Sequence, residues 1–293
     1  AADQTTELNR ISVNLETVSG AQSDCPRFTQ TKTKIYDPNG PIETVVNNSF
    51  QLNQPYSVPG NMPGASGSAT LIEVSMQNHP NGSVSRTFVN ASGWKEGLPV
   101  VTEDLANEGQ GLQRKRWTWT NYTQDDENLL YIQNPRVIES KVGDETNTKR
   151  VTYDYELVQG SNVSVFGLVK EVKVYDADQT TVLKRSVRSY NFANEYISRR
   201  IIGLPFASEL YDQNNALVSK VTYKFDQTDF SGEGQNISPV QHDNVGFGAS
   251  FVVGRGNLTQ VTRWDVNNPS SETSAVTATT KYNTAGSTVS QIN

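Results

Sequence analysis

Gly167-Leu-Val-Lys-Glu-Val-Lys-Val-Tyr-Asp176, a break at Ala177-Asp178-Gln179-Thr180, and an alternating run over 182–192 read as two strands around a tight polar turn. Apolar and polar residues alternate with period two on both sides of the break, which gives each strand one apolar face. The same grammar returns in Gly203-Leu-Pro-Phe-Ala-Ser-Glu-Leu-Tyr-Asp212, the break Gln213-Asn214-Asn215, and Leu217-Val-Ser-Lys-Val-Thr-Tyr-Lys-Phe-Asp226. Gly167 and Gly203 lie 36 residues apart, and so do Tyr175 and Tyr211, so two independent landmarks keep one period. A degenerate third copy runs through Gly256-Asn-Leu-Thr259, Trp264-Asp265 and Thr280-Lys-Tyr-Asn-Thr-Ala-Gly286, with both landmarks displaced by 53 residues. The added length falls in polar loops at 227–250 and 267–276. Repetition at this scale predicts an array in which each unit buries its face on its neighbours.

Working outward, 136–142 and 149–158 form an earlier hairpin around Gly143-Asp144-Glu145-Thr146-Asn147-Thr148, with Val151, Tyr153, Tyr155 and Leu157 on one face. The first half is less regular. Strands are expected at 31–36 and 42–46 around Asp37-Pro38-Asn39-Gly40, and at 69–76 and 84–89 around His79-Pro80-Asn81-Gly82. Residues 59–68 are a loop by their Gly, Pro and Ser content, and 103–112 reads as one short helix. The expected organisation is an irregular β-rich region over 1–135 and a hairpin-repeat region over 136–293. The fold class is all-β, with antiparallel β-hairpin repeats forming a curved sheet or partial shell.

Composition agrees with strands. Of 293 residues, 82 are Asn, Ser or Thr and 31 are Val, the β-branched residue that packs well on a pleated surface. The net charge of −6 argues against nucleic acid, whose phosphates demand a cationic footprint. No stretch approaches the roughly 20 apolar residues of a spanning helix. Cys25 is the only cysteine and His79 and His242 the only histidines, so no disulfide and no Cys/His metal cluster is expected within the chain. No cofactor is indicated.

The recurring Gly-Leu/Asn-Leu, Tyr-Asp, Leu-Val and Tyr landmarks resemble those of the bacterial RHS (rearrangement hot spot) or YD-repeat proteins. Gly256-Asn-Leu-Thr259 and Tyr282-Asn-Thr-Ala-Gly286 look closest to that family's repeat. Residues 93–150, with Gly93-Trp94-Lys95-Glu96-Gly97 and Gln113-Arg114-Lys115-Arg116-Trp117, resemble the stretch that precedes the repeats. The resemblance implies a ribbon of hairpins spiralling into a hollow shell, secreted or surface-borne, enclosing a toxin or touching surface glycans. The family's repeats are more numerous and lead into a downstream aspartyl cleavage core, so this chain reads as a segment or short relative. Asp37-Pro38-Asn39-Gly40 looks faintly like the cleavage motif but reads as a hairpin turn. The repeat residues expected to carry the structure are Gly167, Tyr175, Asp176, Tyr190, Gly203, Tyr211, Asp212, Tyr223, Gly256, Trp264, Asp265 and Tyr282.

Chemistry-bearing constellations are few. Neither histidine sits beside a Gly-x-Ser-x-Gly elbow. The carboxylates Asp125, Asp126 and Glu127, and Glu103 with Asp104, are the candidates for a glycosidase pair, but such clusters are usually solvated turns or caps. Asp176-Ala177-Asp178 has the alternate-oxygen spacing of a calcium loop without its Gly and distal Glu. Trp117 and Trp119 share one strand face, with Thr118 and Thr120 on the other, and read as core aromatics. A glycan platform built on Trp94, Trp117, Trp119 or Trp264 is the alternative. Seven Asn-x-Ser/Thr sequons are about what chance yields. The expectation is a non-enzymatic structural protein of the extracellular space or cell surface, self-associating through open strand edges or continued by further repeats. A carbohydrate-binding adhesin and a carboxylate glycosidase are the alternatives.

Overall fold

The computed structural model describes residues 9–16, 27–37, 40–49, 55–56, 71–79, 81–90, 93–109, 111–227, 230–237 and 240–292. Cys25, the 59–68 loop, Pro38 with Asn39, and Pro80 lie outside the described residues. Strands dominate, and every strand pairing whose register is described is antiparallel. The chain divides into two compact units, residues 1–150 and 151–293. The sequence boundary at 135/136 coincides with the start of a strand, whereas the units divide inside the following one.

The first unit contains β1 (Asn9–Glu16), β2 (Arg27–Asp37), β3 (Gly40–Ser49), β4 (Pro55–Tyr56), β5 (Leu71–Asn78), β6 (Val84–Asn90), β7 (Pro99–Asn107), β8 (Leu112–Thr123) and β9 (Arg136–Gly143). Each hairpin expected in this half is present. β2 pairs with β3, Thr31 opposite Val46, and β5 with β6, Gln77 opposite Ser85. Phe88, Val101 and Trp117 are buried together with Val84, Val89, Trp94 and Val100. The pairing puts Val101 opposite both Phe88 and Trp119, and Glu103 opposite both Arg86 and Trp117, so these side chains share one face.

The helix expected over 103–112 is not formed. β7 runs through Asn107 and is hydrogen-bonded on both sides, to β6 and to β8, and the chain reverses through Gly109 (φ 80°) and Gly111 (φ 110°). The Glu-Asp-Leu-Ala composition favours helix weakly. Two ladders and the burial of Glu103 between Arg114 (2.9 Å) and Arg86 (3.6 Å) outweigh it.

The second unit is an ordered meander. β10 (Thr148–Leu157) enters it at Val151, and β11 (Ser164–Tyr175), β12 (Val182–Tyr190), β13 (Pro205–Tyr211), β14 (Leu217–Phe225), β15 (Leu258–Arg263), β16 (Val276–Tyr282) and β17 (Thr288–Ile292) follow, each paired with its sequence neighbour. A short helix, α1 (Asn194–Ile197), lies in the β12–β13 connection. The period of 36 is therefore one hairpin plus its connection. The later displacement of 53 arises because the β14–β15 connection spans 226–257 where the β12–β13 connection spans only 191–204.

The landmark glycines share one conformation. Gly167, Gly203 and Gly256 have φ of 66°, 84° and 78°, a region that costs an L-residue about 1–2 kcal/mol. A Cβ on Gly203 would meet Leu168 at 3.3 Å and one on Gly256 would meet Ile201 at 3.3 Å, whereas Gly167 has open space. The Asp landmarks are turn staples. Oδ1 of Asp212 accepts the amides of Asn214 (2.8 Å) and Ala216 (2.9 Å), and Oδ1 of Asp265 accepts that of Asn267 (3.0 Å). Oδ1 of Asp176 accepts its neighbour Ala177, and Asp178 takes over the staple by accepting Thr180 and Thr181. The Thr181 hydroxyl and these two amides hold the Asp178 carboxyl down at about 2.

Sheet register assigns two faces to the second unit. Glu171, Lys173, Arg185, Glu209, Lys220, Thr222 and Trp264 lie on one, and Val172, Val174, Leu210, Val221, Tyr223 and Val261 on the other. All of these are half-buried, and among the described residues of this unit only Tyr196 and Phe230 are buried large apolar side chains. Stability must come from contacts within the layer. We expect Gly256→Ala to lower the unfolding free energy by about 1–2 kcal/mol, with Gly203→Ala close behind and Gly167→Ala least affected, because backbone strain is common to all three and contact is not. Urea unfolding followed by circular dichroism measures the order, and equal stability of all three variants with the native chain would contradict it.

Candidate functional site

The repeat residues form two rows. The first row stands where strands enter the turns. Tyr211 receives the Arg185 guanidinium over its ring at 4.0 Å and donates to Glu209 at 2.7 Å. Trp264 receives Lys220 at 5.4 Å and donates from Nε1 to Thr222 at 2.9 Å. Tyr175, one period earlier, reaches Thr152 at 3.3 Å. In the first unit the corresponding strand end is Gly143-Asp144, and there the ring of Trp117 fills the space that a Cβ on Gly143 would need.

Charges interleave with this row. Glu171 binds Lys173 at 2.5 Å and Arg185 at 2.9 Å. Burial alone would raise the Glu171 carboxyl, but those two hydrogen bonds outweigh it and hold it below its usual value. Cross-strand pairs of this kind contribute about 0.2–1 kcal/mol each, and the cation–π contacts about 0.5–1.

The second row stands at the opposite strand ends, on the return strands. Tyr190 donates to the Val169 carbonyl at 2.7 Å and Tyr282 to that of Leu258 at 3.0 Å, tying a return strand to the start of the strand before it. Tyr282 thus belongs with Tyr190 rather than with Tyr175 and Tyr211. Each lies at a register shift, as do Phe225 and Tyr155 in the same unit and Tyr122 in the first, where Tyr122 donates to the Pro99 carbonyl at 2.8 Å. Sequence reasoning missed Tyr122, Tyr155 and Phe225 as members of this row; their spacings of 33 and 35 residues were the available signal. Tyr223 sits two residues before Phe225 and faces Val261.

The other candidates have structural partners. Trp94 and Trp117 are buried, Trp94 donating to Glu127 at 3.2 Å. Trp119 is half-buried beneath Lys141 at 5.2 Å. Asp125 pairs with Arg136, Asp126 accepts the Asn128 amide, and Glu127 accepts Thr123. Nε2 of His79 lies 3.1 Å from Ser85 Oγ, which donates to Asp104 at 2.7 Å. The serine occupies the middle of this chain. A hydroxyl already donating to a carboxylate and contacted by the histidine from behind is not activated for attack, which requires the base between nucleophile and acid. Among the described residues no group of three or more His, Cys, Asp or Glu converges to hold a metal, and no helix is long and apolar enough to cross a membrane.

The densest polar node is one that the sequence did not reveal. Asp226, 4 % exposed, directly follows β14 and accepts the amides of Gly254 (3.0 Å), Arg255 (2.9 Å) and Gly256 (3.0 Å) on Oδ2 and of Asn257 (2.9 Å) on Oδ1. Successive N–H groups curled around an oxygen form a ready anion cradle, and here the protein's own carboxylate fills it. The Tyr196 hydroxyl also meets this carboxylate; burial first, and Asp226 second, push the phenol well above its ordinary range. Arg255 then donates to the carbonyls of Phe251 (2.6 Å), Thr284 (2.6 Å), Phe247 (2.5 Å) and Gly248 (2.9 Å). Together they clamp the 226–257 connection onto the end of the sheet. No protein-family model matches the chain, and no curated protein matches it.

Asp226→Asn places an amide NH2 against donors that it cannot satisfy. We expect a loss of about 2–3 kcal/mol, seen as a lower denaturation midpoint and faster amide exchange across 254–257. An unchanged midpoint would show that the cradle carries no stability.

Proposed function

We propose that the chain is a non-enzymatic structural protein of the RHS/YD-repeat type that forms part of an extracellular shell or surface assembly, with copies joining edge to edge through β17. The observation that carries this reading is the thin, open layer of the second unit. Apart from Thr259 and Thr262 its described strand residues are half-buried or exposed on both faces, and among the described residues of the unit β17 pairs on one side only, with β16. Val289 (39 % exposed) and Ile292 (60 %) stand on that strand and Val276 (68 %) on its neighbour. An open strand presents unpaired N–H and C=O groups to another chain, and natural sheets blunt such edges when association is unwanted. β17, Thr-Val-Ser-Gln-Ile, carries no charge and no proline.

A second copy is the occupant that the repeats favour. The internal interfaces of the array are versions of the same antiparallel pairing, with an aromatic at the register shift in all but the β15–β16 pair, so a strand from an identical chain meets an edge of the kind it already pairs with. The closing tie, Tyr282 to the Leu258 carbonyl, leaves β17 without a comparable hydroxyl strut of its own. The glycan-binding and glycosidase alternatives have no comparable support, since two of the four indoles are buried and the clustered carboxylates are engaged by structural partners.

Sedimentation and negative-stain electron microscopy across a concentration series test this. The native chain is expected to form dimers and longer species, and Val289→Lys with Gln291→Lys to restore monomers while keeping the β-type circular dichroism spectrum. A native chain that stays monomeric at every concentration, or variants that assemble equally well, would contradict the reading.

A further inference from the structure

Residues 242–257, the Arg199–Ile201 segment after α1 and the 284–286 turn line an open pocket of about 430 Å³. Its wall includes Arg199, Arg255, His242, Phe247, Phe251 and Gly254. That volume lies within the range of small-ligand sites, which combine an apolar lining with a few directed polar groups.

The two arginines are in opposite states. Arg255 is committed to four backbone carbonyls and stacks on Phe230 at 4.6 Å. Arg199 is exposed, and its guanidinium lies over Phe251 at 4.1 Å and 5.9 Å from Phe247. Phe247 and Phe251 meet edge to face, with centroids 5.3 Å apart. Stacking on a ring fixes the plane of the fork while leaving its N–H edge clear. Gly254 makes room for this placement, because a Cβ there would lie 3.2 Å from Arg199 Cδ and Nε.

No acid neutralises Arg199 among the described residues. Asp226 is filled by four amides, Asp243 accepts the amides of Val245 and Gly246, and Glu195, on α1, stands outside ion-pair distance. His242 donates from Nδ1 to Asn244 Oδ1 at 2.7 Å, which leaves Nε2 for a second contact.

We propose that this cavity binds a small organic carboxylate with a flat or ring-shaped body. The planar fork of Arg199 matches a carboxylate in bidentate fashion, the ring body packs against Phe247, which is 43 % exposed, and His242 Nε2 caps the rim. A free phosphate fits less well, because the run of backbone N–H groups that would cradle it is already occupied by Asp226. This site is independent of edge-to-edge assembly.

Amide chemical-shift titration and saturation-transfer NMR with benzoate, galacturonate and inorganic phosphate test the assignment. Saturable shifts confined to residues near 199, 242 and 247–256 are expected with at least one of the two carboxylates and not with phosphate. Arg199→Met keeps the stem packed on Phe251 but removes the fork, and is expected to weaken binding at least tenfold. Arg199→Lys keeps charge without the fork and is also expected to weaken it, while Arg188→Met on β12 leaves it unchanged. An otherwise unaltered amide spectrum shows that the loop survives substitution. No saturable shift with either carboxylate, equal response to phosphate, or unchanged binding in Arg199→Met would overturn the proposal.

Discussion

The second unit depends on contacts made inside one layer, between a side chain at a strand end and a group on the neighbouring strand. A two-layer domain buries one face of its sheet against helices or another sheet and draws most of its stability from that burial. Here the described strand residues of both faces, Thr259 and Thr262 apart, are half-buried or exposed, so the backbone ladder needs reinforcement at its ends. Basic residues over Tyr211 and Trp264 supply it at the turn side, and the hydroxyls of Tyr190 and Tyr282, bonded to carbonyls one strand back, supply it at the other. Each contact is small by itself. Their recurrence in register makes an extended array possible, since the same few kinds of brace return from one hairpin to the next.

The same constraint accounts for the bulges. Tyr155, Tyr190, Phe225 and Tyr282 each follow a register shift, where two residues on one strand oppose one on the other and the strand bends. An aromatic residue stands at each of these shifts. Where the chain departs most from its period, in the 226–257 connection, a different device appears: a buried carboxylate surrounded by four amides and an arginine spent on four carbonyls. That polar clamp holds a long segment in which, among the described residues, Phe230 is the buried large apolar side chain, and it stands beside the pocket that Arg199 lines.

Most of the hairpin architecture was legible in the sequence because period-two alternation and Asp-containing turns leave direct marks. The period of 36 located β11 to β14 within a few residues, and positive φ at Gly167, Gly203 and Gly256 is the physical reason those glycines recur. The expected helix at 103–112 shows the limit: its composition suits a helix, but pairing partners distant in sequence made it a strand. Asp226 was invisible for a related reason. It reads as the last residue of a strand, and only the return of Gly254-Arg-Gly-Asn257 from beyond a long loop turns it into a node. The aromatic row at Tyr122, Tyr155 and Phe225 was hidden by a change of residue type and by a displaced starting point, although its spacing was present. Arg199 carried no signal, since an exposed arginine beside a short helix acquires meaning only from the rings that fold beneath it.

A single layer braced between neighbours should lose its strands in steps, because the coupling that holds each one extends only to the next. Native-state hydrogen exchange of the second unit tests this most directly. The account predicts strongest protection in β12 to β14 and progressively lower opening free energies through β15 and β16 to β17. A single opening free energy shared by all of these strands, equal to that of global unfolding, would contradict it and would require a common core that couples the whole unit.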